Sequence, residues 1–506
     1  MDLEGEYMTG AKLIDQASPA ALDSLRRLPI KVEGSERRVI LLPFVHAARQ
    51  TLSGVISLVD GMNNEAVTQR LGDVMARFRS RHNAIEEYFE EHYQAACHEL
   101  GRAPDHDMDR RRLIGAYCSL EYSIEAAALF NPSMVAHPAP RAGEDGGVRF
   151  VMSFRATGEG HLSSVVFQTG KIDGAHRVSF DRPGNFSSRA RLSPDQYYVK
   201  HLFWRKLSEM VADAPAAGKV LERLPDQFTL RQLEDAIDAA QREGNGRAQP
   251  NGAYESMRWL AHSNYQLDLD PGADINDLII FPTSENEVRG IEDLRLVQFT
   301  DDDGEQTYYG TYTAYNGQRV LSMLLTTADF RKIEIHTLNG ACVQNKGMAL
   351  FPRKINGHYA MCSRIDGRNI YLMFSDFIHF WESAQLLASP KHPWEYRLMG
   401  NCGSPLETEE GWLLLTHGVG PVRQYSIGAM LLDKDNPMRI RGRLRNPLLS
   451  PLSEEREGYV PNVVYSCGGM IHEDRLYIPY AMADSAASIA TVEVEELLSQ
   501  LLRDGP

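Results

Sequence analysis

The chain has 506 residues, 43% of them hydrophobic, and carries 53 Lys and Arg against 68 Asp and Glu, for a net charge of −15. A chain of this length predicts two or three domains, and the acidic balance disfavours a general nucleic-acid or anionic-membrane surface. It leaves room for a local cationic pocket that binds a single anion.

Targeting signals and cofactor motifs are missing from the sequence. The N-terminal residues show no basic segment followed by an apolar one, so we expect no signal peptide. No apolar run approaches the ~18 residues of a membrane span. The six cysteines form no CxxC pair, which predicts reduced thiols of a cytoplasmic protein. Without a zinc, P-loop or dinucleotide-binding pattern, we expect no metal and no bound cofactor.

Helical and strand-like patterns alternate along the chain. Residues 1–124 are predicted to form a helical N-terminal region, because residues 64–100 carry apolar side chains at three- and four-residue steps. From about residue 129 the period becomes two, as in "GVRFVMSFRA" and "LSSVVFQTG", so residues 125–191 are predicted to be strands. Residues 192–265 return to the helical pattern as an insertion. Residues 266–506 are predicted to be strands, up to a final helix in "VEVEELLSQLL".

The strand-rich part repeats a small antiparallel unit. Asn356-Gly357 and Asp366-Gly367 predict two hairpin turns within one unit, and Glu410-Gly411 predicts a turn in the next. Units of roughly 50 to 60 residues are typical of β-propeller blades, and about five of them fit the chain. The predicted fold is mainly β: a five-bladed β-propeller with an added α-helical N-terminal region and a helical insertion. Residues 125–191 would be its first blade, and a β-sandwich is the alternative.

Seven segments carry a family resemblance. In chain order they are "LFNPSMV", "VMSFRATGEGHLSSV", "GIEDLRL", "LFPRKINGHYAMCSR", "GSPLETEEGWLLLTHGV", "YSIGAMLLDKDNP" and "EREGYVPNVVYSCGG". Together they resemble the mannoside phosphorylases of glycoside hydrolase family 130, over residues 125–190 and 266–495. The resemblance implies a five-bladed propeller with its active site in the central channel. It also implies inverting cleavage of β-mannosides, most often by phosphate, with release of α-mannose 1-phosphate.

The resemblance implies that Asp293 is the single catalytic acid, acting through a sugar hydroxyl that relays the proton. Breaking a glycosidic bond needs a proton for the leaving oxygen and a nucleophile at the anomeric carbon. Phosphate is already a nucleophile, so one acid and a cationic cradle suffice. Glu292 is expected to face away from Asp293 if the segment is extended, and to brace Arg295 or a neighbouring strand. Leu294 stands where the family usually has Pro.

Candidate ligand-binding residues lie in the matching segments. A phosphate would be held by a forked guanidinium, an ammonium and an imidazole donor; the candidates are Arg155, Lys346, Lys354, Arg364 and His417. Carbohydrate sites combine aromatic faces with carboxylates, amides and hydroxyls. The substrate-binding candidates are Asn131, Ser133, Ser164, Tyr425, Asn462, Tyr480 and Asp484, with Tyr459 close by in sequence.

Three functions follow from these residues. The first is inverting phosphorolysis of β-mannosides, with a β-mannoside and inorganic phosphate as the partners and neither nucleic acid nor membrane. The second is an inverting β-mannoside hydrolase on the same fold, whose second carboxylate would be Glu409, Glu410 or Glu457. The third is a non-catalytic glycan-binding propeller, which the presence of Asp293 disfavours. The helical regions are candidates for a homo-oligomer interface.

Overall fold

The structure is mainly β, as the period-two pattern predicts. It is a computed structural model that describes residues 22–44, 49–141, 146–182, 184, 186–193, 196–210, 214–243, 251–270 and 272–506. These residues form nine α-helices, five sheets of four to six strands, and two sheets of two strands. Within the same ranges, none of the helices combines the length and the apolar character that crossing a bilayer would need.

The five larger sheets follow one another along the chain and are almost entirely antiparallel. The first contains Ala128–Arg141, Val148–Thr157, Ser163–Ile172, Val178–Phe180, Ser188–Arg189 and Leu278–Ile280. The second contains Arg191–Leu192, Tyr265–Asp268, Ile291–Thr300, Gln306–Tyr315, Val320–Thr327 and Lys332–Thr337. The third contains Lys346–Leu350, Tyr359–Arg364, Ile370–Ser375 and Ala384–Ala388. The fourth contains Leu398–Asn401, Leu406–Thr408, Gly411–Val419, Tyr425–Leu432 and Ile440–Arg443. The fifth contains Val464–Tyr465, Met470–His472, Arg475–Met482, Ala486–Glu493, Arg26–Arg27 and Val32–Glu33.

The predicted hairpin turns are confirmed. Asn356 and Gly357 have φ of 51° and 82°, which is the pair of positive φ angles that a two-residue turn of type I′ requires. Gly367 has φ of 73° between the second and third strands of the third sheet. Gly411 begins the long strand of the fourth sheet and pairs with Thr408, so the turn predicted at Glu410-Gly411 lies one position earlier, at Glu409 and Glu410. These turns depend only on local backbone preferences, so the sequence alone could locate them.

Apolar clusters join each sheet to the next. One cluster holds Val151 of the first sheet and Leu325 of the second, and the next holds Leu324 of the second and Met361 of the third. Further clusters join the third to the fourth sheet and the fourth to the fifth. A last one packs Ile489 of the fifth sheet with Phe150 of the first. Burial of apolar side chains between successive sheets therefore links all five.

The region predicted to be helical at the N-terminus also contributes strands. Arg26–Arg27 and Val32–Glu33 pair with Ala486–Glu493, so the beginning and end of the described chain share the fifth sheet. Strands of two residues carry no periodicity, and the sequence analysis did not find them. Leu278–Ile280 likewise returns to the first sheet after the insertion, so that sheet extends beyond the predicted range 125–191.

The helices pack into separate cores. The N-terminal helices are α1 (Arg49–Asp60), α2 (Asn64–Phe78), α3 (Ile85–Leu100) and α4 (Met108–Tyr117). The strand Val39–Pro43 precedes them, the strand Ser119–Ser123 follows them, and the two strands pair with each other. The insertion holds α5 (Lys200–Ser208), α6 (Ala214–Leu221), α7 (Leu230–Glu243) and α8 (Asn251–Ser263), with the strand pair Tyr198–Val199 and Gln227–Phe228. The last helix is α9 (Val494–Asp504). Each helical region buries its own apolar residues.

All six cysteines lie in the described ranges and none forms a disulfide, as their spacing predicts. Five of them are buried, and only Cys342 is partly exposed.

One buried ion pair ties the N-terminal strands to the fifth sheet and gives a testable prediction. Glu455, whose side chain is 4% exposed, pairs with Arg27 at 3.0 Å and also accepts from the Tyr480 hydroxyl at 2.7 Å. Glu455→Gln leaves the partly buried guanidinium without a counter-charge, so we expect the free energy of unfolding to fall by about 2 kcal/mol. Urea denaturation of the full chain measures this change.

The matched control is Glu407→Gln, which removes the charge of an exposed pair with Arg353 at 2.9 Å. Surface pairs contribute about 0–1 kcal/mol, so this variant should denature almost as the unmodified chain does. Equal losses in the two variants would contradict the structural role of Glu455.

Candidate active site

Polar and charged side chains from all five large sheets meet at one place. Six of them form what we call the ion cluster: Arg155, Glu292, Asp293, Arg295, Lys346 and Arg364. Asn131 and Arg155 come from the first sheet, the 292–295 group from the second, Lys346 and Arg364 from the third, His417 from the fourth, and Tyr465 and Asp484 from the last strands and loops of the fifth. No single segment of the chain could supply this arrangement.

The backbone around Asp293 is bent. Asp293 has φ of 56°, and the pairing of its strand with Gln306–Tyr315 shifts register between Glu292 and Arg295. A bulge of this kind re-aims side chains, and a left-handed conformation at a non-glycine residue costs energy that often marks a functional site. Both carboxylates consequently reach Arg155, so the expectation that Glu292 faces the opposite way is corrected. It assumed an extended strand, which the bulge interrupts.

Asp293 is held by one amide and two guanidinium groups. Asn131 Nδ2 donates to Asp293 Oδ1 at 2.6 Å, Arg155 Nη1 lies 3.8 Å from the same oxygen, and Arg295 Nη2 lies 4.0 Å from Oδ2. Burial by itself would raise the pKa of Asp293, but Arg295, Arg155 and Lys346 outweigh it and hold that pKa below its ordinary value. The carboxyl is therefore ionised in the free protein.

Glu292 bridges two cations of the cluster. Its Oε1 accepts from Arg155 Nη2 at 2.9 Å, and its Oε2 accepts from Lys346 Nζ. The side chain of Glu292 is only 15% exposed, so solvent screens these contacts weakly. The sequence analysis expected Glu292 to brace Arg295 or a strand. Its partners are instead the two neighbouring cations that the sequence analysis assigned to phosphate.

Arg364 and His417 form the far side of the cluster. Arg364 Nη1 donates to His417 Nε2 at 3.1 Å, and since a guanidinium has only donors, this imidazole nitrogen must accept. Burial, reinforced by Arg364 and Arg295, holds the pKa of His417 well below its ordinary value, so the ring is neutral. His417 Nε2 therefore orients Arg364, while the role of His417 in phosphate binding stays a prediction, since its Nδ1 has no partner among the described residues. Gly400 passes so close that a Cβ there would lie 2.5 Å from the imidazole.

Arg295 of the ion cluster and Tyr465 beside it are residues that the sequence analysis did not assign to the site. Arg295 is 3% exposed, and it donates to the Tyr465 hydroxyl at 2.7 Å and to the Cys402 carbonyl at 3.1 Å. The Tyr465 ring also packs edge-on against His417, with centroids 5.0 Å apart. A buried charge two residues after Asp293 was the available signal, but its partner lies 170 positions along the chain.

Several buried polar atoms around the cluster have no hydrogen-bond partner within the described part of the chain. They are Arg155 Nε, Arg364 Nε, Asn131 Oδ1, Asn401 Oδ1 and His417 Nδ1. Ser164 Oγ, on the strand that pairs with that of Arg155, and Ser363 Oγ, next to Arg364 in sequence, also lack a partner there. Most buried polar groups in proteins are hydrogen-bonded, and exceptions need an explanation such as a ligand or solvent. Their concentration here is what a site built to receive a polar ligand requires.

Asp484 contributes a second carboxyl to the site. Both Ala483 and Asp484 have left-handed φ angles, of 47° and 50°. Burial, followed by the charge of Asp293, raises the pKa of Asp484 to about 6. Its carboxylate forms no ion pair within 4 Å among the described residues, in contrast to Asp293. Near and below pH 6, Asp484 is therefore largely protonated while Asp293 is ionised.

Tyr425 and Asn462 lie beside His417. The Tyr425 ring stacks on the imidazole with a centroid separation of 6.0 Å and an angle of 15°. The Tyr425 amide donates to the Asn462 carbonyl at 3.0 Å, and Asn462 has φ of 62°. These two substrate-binding candidates therefore adjoin the predicted phosphate residues. Tyr459, three residues earlier, is 63% exposed and stacks on His161.

Three of the sequence candidates lie elsewhere or have structural partners. Lys354 pairs with Asp301 at 2.6 Å, at the end of Ile291–Thr300 that is farthest from Asp293, about 25 Å away along the strand. Tyr480 is buried in the apolar cluster between the fourth and fifth sheets and donates to Glu455. Ser133 Oγ accepts from the Leu296 amide at 3.0 Å. We leave Lys354 and Tyr480 out of the proposed site.

One further group has the chemistry of metal ligands. His176, Glu473 and Asp474 place their ligand atoms within 4.8 Å of one another, and they are the only such group found in the described ranges. Both acids are exposed, and exposed acidic groups commonly gather without an ion, so we assign no metal to this group.

Comparison with known proteins identifies the family. Residues 273–503 match a family described as β-1,4-mannooligosaccharide phosphorylase. A 1,2-β-oligomannan phosphorylase of Thermoanaerobacter is 34% identical over 218 residues, which cover 42% of this chain and 72% of the relative. The chain belongs to glycoside hydrolase family 130. A β-1,2-mannobiose phosphorylase of Listeria innocua is also 34% identical, over 44% of this chain and 63% of the relative.

The solved structure of a β-1,2-mannobiose phosphorylase from Listeria innocua is similar over 73% of this chain and 93% of that one, with 23% identity and a TM-score of 0.42. The family match leaves out residues 1–272, so the N-terminal helices and the insertion lie outside it. Asp293, Glu292, Lys346, Arg364 and His417 all lie inside the matched range.

Proposed function

We propose that the protein is a glycoside phosphorylase that cleaves β-mannosides with inversion and transfers the mannosyl group to inorganic phosphate. The observation that carries this proposal is the placing of Arg155, Lys346 and Arg364 around the single amide-held acid Asp293. The names of its family relatives, which are mannoside phosphorylases, support the same reaction. No cofactor is proposed beyond phosphate as co-substrate, since phosphate is itself the nucleophile.

We infer that the five large sheets are the blades of a five-bladed propeller with the site at its axis. The support is the cyclic order of the apolar clusters, each of which joins consecutive sheets and the last of which joins the fifth to the first. The residues of the ion cluster lie on strands at one edge of their sheets or on the strand next to that edge, and these edges would line a central channel. A site on the axis of a propeller is expected to receive side chains from every blade.

The proposed reaction balances with one proton transfer. A phosphate oxygen attacks the anomeric carbon from the face opposite the leaving group, and its C–O bond forms while the glycosidic C–O bond breaks. The leaving oxygen takes a proton that originates on Asp293 and passes through a sugar hydroxyl. The products are α-mannose 1-phosphate and the shortened sugar. Arg155, Lys346 and Arg364 would offset the charge of the attacking phosphate.

Phosphate binding would also prepare the acid. The cations that hold Asp293 ionised in the free protein are those that would bind phosphate. A bound dianion offsets their charge, so the pKa of Asp293 rises when phosphate is present. Glu292 would keep Arg155 and Lys346 in place until phosphate arrives. The acid would then be protonated only in the complex that can react.

Hydrolysis is the second candidate, and one observation favours it. Asp484 is a carboxyl without an ion pair in the described chain, and an inverting hydrolase needs a second carboxyl to activate water. The alternatives Glu409 and Glu410 are less suitable, because the Glu410-Gly411 turn lies at the opposite end of Gly411–Val419 from His417, about 20 Å away. Glu457 is exposed in the loop before Val464–Tyr465. We favour phosphorolysis because three cations line the site.

The first prediction tests the reaction itself. Incubation with β-1,2- and β-1,4-manno-oligosaccharides should yield α-mannose 1-phosphate only when inorganic phosphate is present. Product anomers are identified by proton NMR at early times, before mutarotation. Release of free mannose at the same rate in phosphate-free buffer would support hydrolysis and contradict the proposal.

A second prediction concerns the acid. Asp293→Asn keeps the size of the side chain and removes the proton, so activity on unactivated mannosides should fall about 10²- to 10⁴-fold. A nitrophenyl mannoside needs less protonation and should lose less. Glu292→Gln keeps the proton donor, so its ratio of rates on the two substrates should stay close to that of the unmodified enzyme. An unchanged ratio in Asp293→Asn would assign the acid to another residue.

A third prediction compares two cations: Arg364, which lies at the proposed site, and Lys354, which lies far from it. Arg364→Ala removes a charged donor to phosphate and should lower kcat/KM for phosphate by roughly 30- to 1000-fold, equivalent to about 2–4 kcal/mol. Lys354→Ala serves as the matched control, because Lys354 pairs with Asp301 at the far end. It should leave kcat/KM for phosphate within about twofold. A comparable loss in Lys354→Ala would contradict the proposed cradle.

A fourth prediction concerns pH. Because Asp484 raises the pKa of its neighbour Asp293 when it is ionised, Asp484→Asn should lower the pKa of Asp293. Activity that needs a protonated Asp293 is lost as pH rises, so the falling limb of the kcat/KM profile should move to lower pH in this variant. The second ionisation of phosphate is common to both proteins and cancels in the comparison. A limb that stays in place would exclude coupling between the two acids.

A further inference from the structure

A second polar cavity lies away from the ion cluster, between the helical insertion and the second sheet. Its volume is about 310 Å³, at the lower end of the range of small-molecule pockets, ~300–1,000 Å³. The lining includes Tyr197, Lys206, Gln266, Glu334, His336 and His379. Its strand Lys332–Thr337 is three strands from Ile291–Thr300, which is about 14 Å across the sheet. The cavity is therefore separate from the candidate active site.

Lys206 of α5 is a buried cation with neutral partners. The side chain is 5% exposed, and Nζ donates to Asn264 Oδ1 at 2.8 Å, to the Thr337 carbonyl at 3.0 Å and to Thr337 Oγ1 at 3.3 Å. None of these acceptors carries a charge, and no carboxylate in the described chain lies within 4 Å of Nζ. A buried ammonium without a counter-ion is costly. An anion in the adjoining cavity would supply that counter-ion.

Two imidazoles face each other in the same cavity. The rings of His336 and His379 are 4.9 Å apart at an angle of 66°. His379 Nδ1 is buried and has no hydrogen-bond partner among the described residues. His336 Nε2 lies 3.4 Å from Glu334 Oε2, which is a long contact. The cavity thus offers an imidazole nitrogen to which no group in the described part of the chain forms a hydrogen bond.

We propose that this cavity binds a small oxyanion of the phosphate type, with Lys206 as the fixed charge and His379 and His336 as hydrogen-bond donors. The ligand is either inorganic phosphate or a phosphate monoester, since both present the same tetrahedral oxyanion. Lys206 acts through its charge, because its three N–H groups are already occupied. Glu334 is the one carboxylate in the lining, and its contact with His336 limits its repulsion of the ligand.

Binding should take up protons. Burial lowers the pKa of Lys206 to about 7, and Glu209 raises it slightly. Burial also lowers the pKa of His336, where Glu334 acts in the opposite direction, and that of His379, where Lys206 adds to the effect. An anion favours the charged form of each group. Affinity for the dianionic form of the ligand should therefore increase as pH falls from 8 towards 6, and proton uptake is counted after the ligand's own ionisation has been subtracted.

The test uses the full chain with Arg364→Ala, which weakens the proposed catalytic phosphate site. Titration calorimetry is run with inorganic phosphate and, separately, with glycerol 2-phosphate, in two buffers that differ in ionisation enthalpy. We expect one binding event with net proton uptake. Adding Lys206→Met or His379→Gln should weaken it at least tenfold, whereas Lys219→Met, at an exposed lysine of α6, should not change it. The ligand that binds more tightly identifies the source.

Thermal denaturation without ligand checks that each variant is folded. If Lys206→Met does not fold, the binding measured with His379→Gln tests the proposal. Absence of any binding of either anion to the Arg364→Ala protein would overturn the proposal. Binding that both Lys206→Met and His379→Gln leave unchanged would overturn it as well. Neither result depends on whether the catalytic reaction is phosphorolysis or hydrolysis, because turnover is not measured.

Discussion

The ion pairing around Asp293 is the constraint on which the rest of the structure depends. Three guanidinium groups and one ammonium lie close together in a largely buried site, where their mutual repulsion is weakly screened. Glu292 and Asp293 offset part of that charge, Asn131 donates to Asp293, and the Tyr465 hydroxyl accepts from Arg295. Each cation comes from a different part of the chain, so the cluster exists only if the sheets are arranged correctly.

The apolar clusters between successive sheets supply the free energy that this arrangement needs. Large side chains such as Trp381, Trp412 and Tyr477 are fully buried in them, and burial of each contributes roughly 1.5–3 kcal/mol or more. Four residues at the site, Asn131, Asp293, Asn462 and Asp484, have left-handed φ angles, and Phe330 has one within an apolar cluster. Backbone strain persists where well-packed surroundings hold it. The packed sheets therefore allow the site to keep conformations that are locally unfavourable.

The helical regions are attached to the sheets by polar contacts as well as by apolar packing. Lys206 joins α5 to Thr337 of the second sheet, and Arg191 reaches Glu87 and Glu91 of α3. Arg205 of α5 lies over the rings of Phe377 and Phe380. The N-terminal helices thus contact the second sheet, and the insertion contacts the second sheet and the loop after Ile370–Ser375 of the third sheet. This attachment creates the Lys206 cavity, which no strand or helix forms alone.

The sequence by itself determined the features that depend on local preferences and on recognisable segments. Asn356-Gly357 forms its turn because few other pairs adopt two positive φ angles. The spacing of apolar residues, three or four in some segments and two in others, distinguished the helical regions from the strand regions. The matching segments led to Asp293, Arg155, Lys346 and Arg364, and the structure brings these four residues together.

Only the tertiary structure decided which side chains meet. The bulge at Asp293 turned Glu292 towards Arg155, against the alternation that a regular strand would give. Lys354 lies in a matching segment, but it pairs with Asp301, beyond the end of Ile291–Thr300 that is farthest from Asp293. The direction of the strands decides this position. The strands Arg26–Arg27 and Val32–Glu33 pair with residues more than 450 positions away and have no pattern of their own. Contacts of this kind depend on packing between distant segments, and local sequence contains no record of that packing.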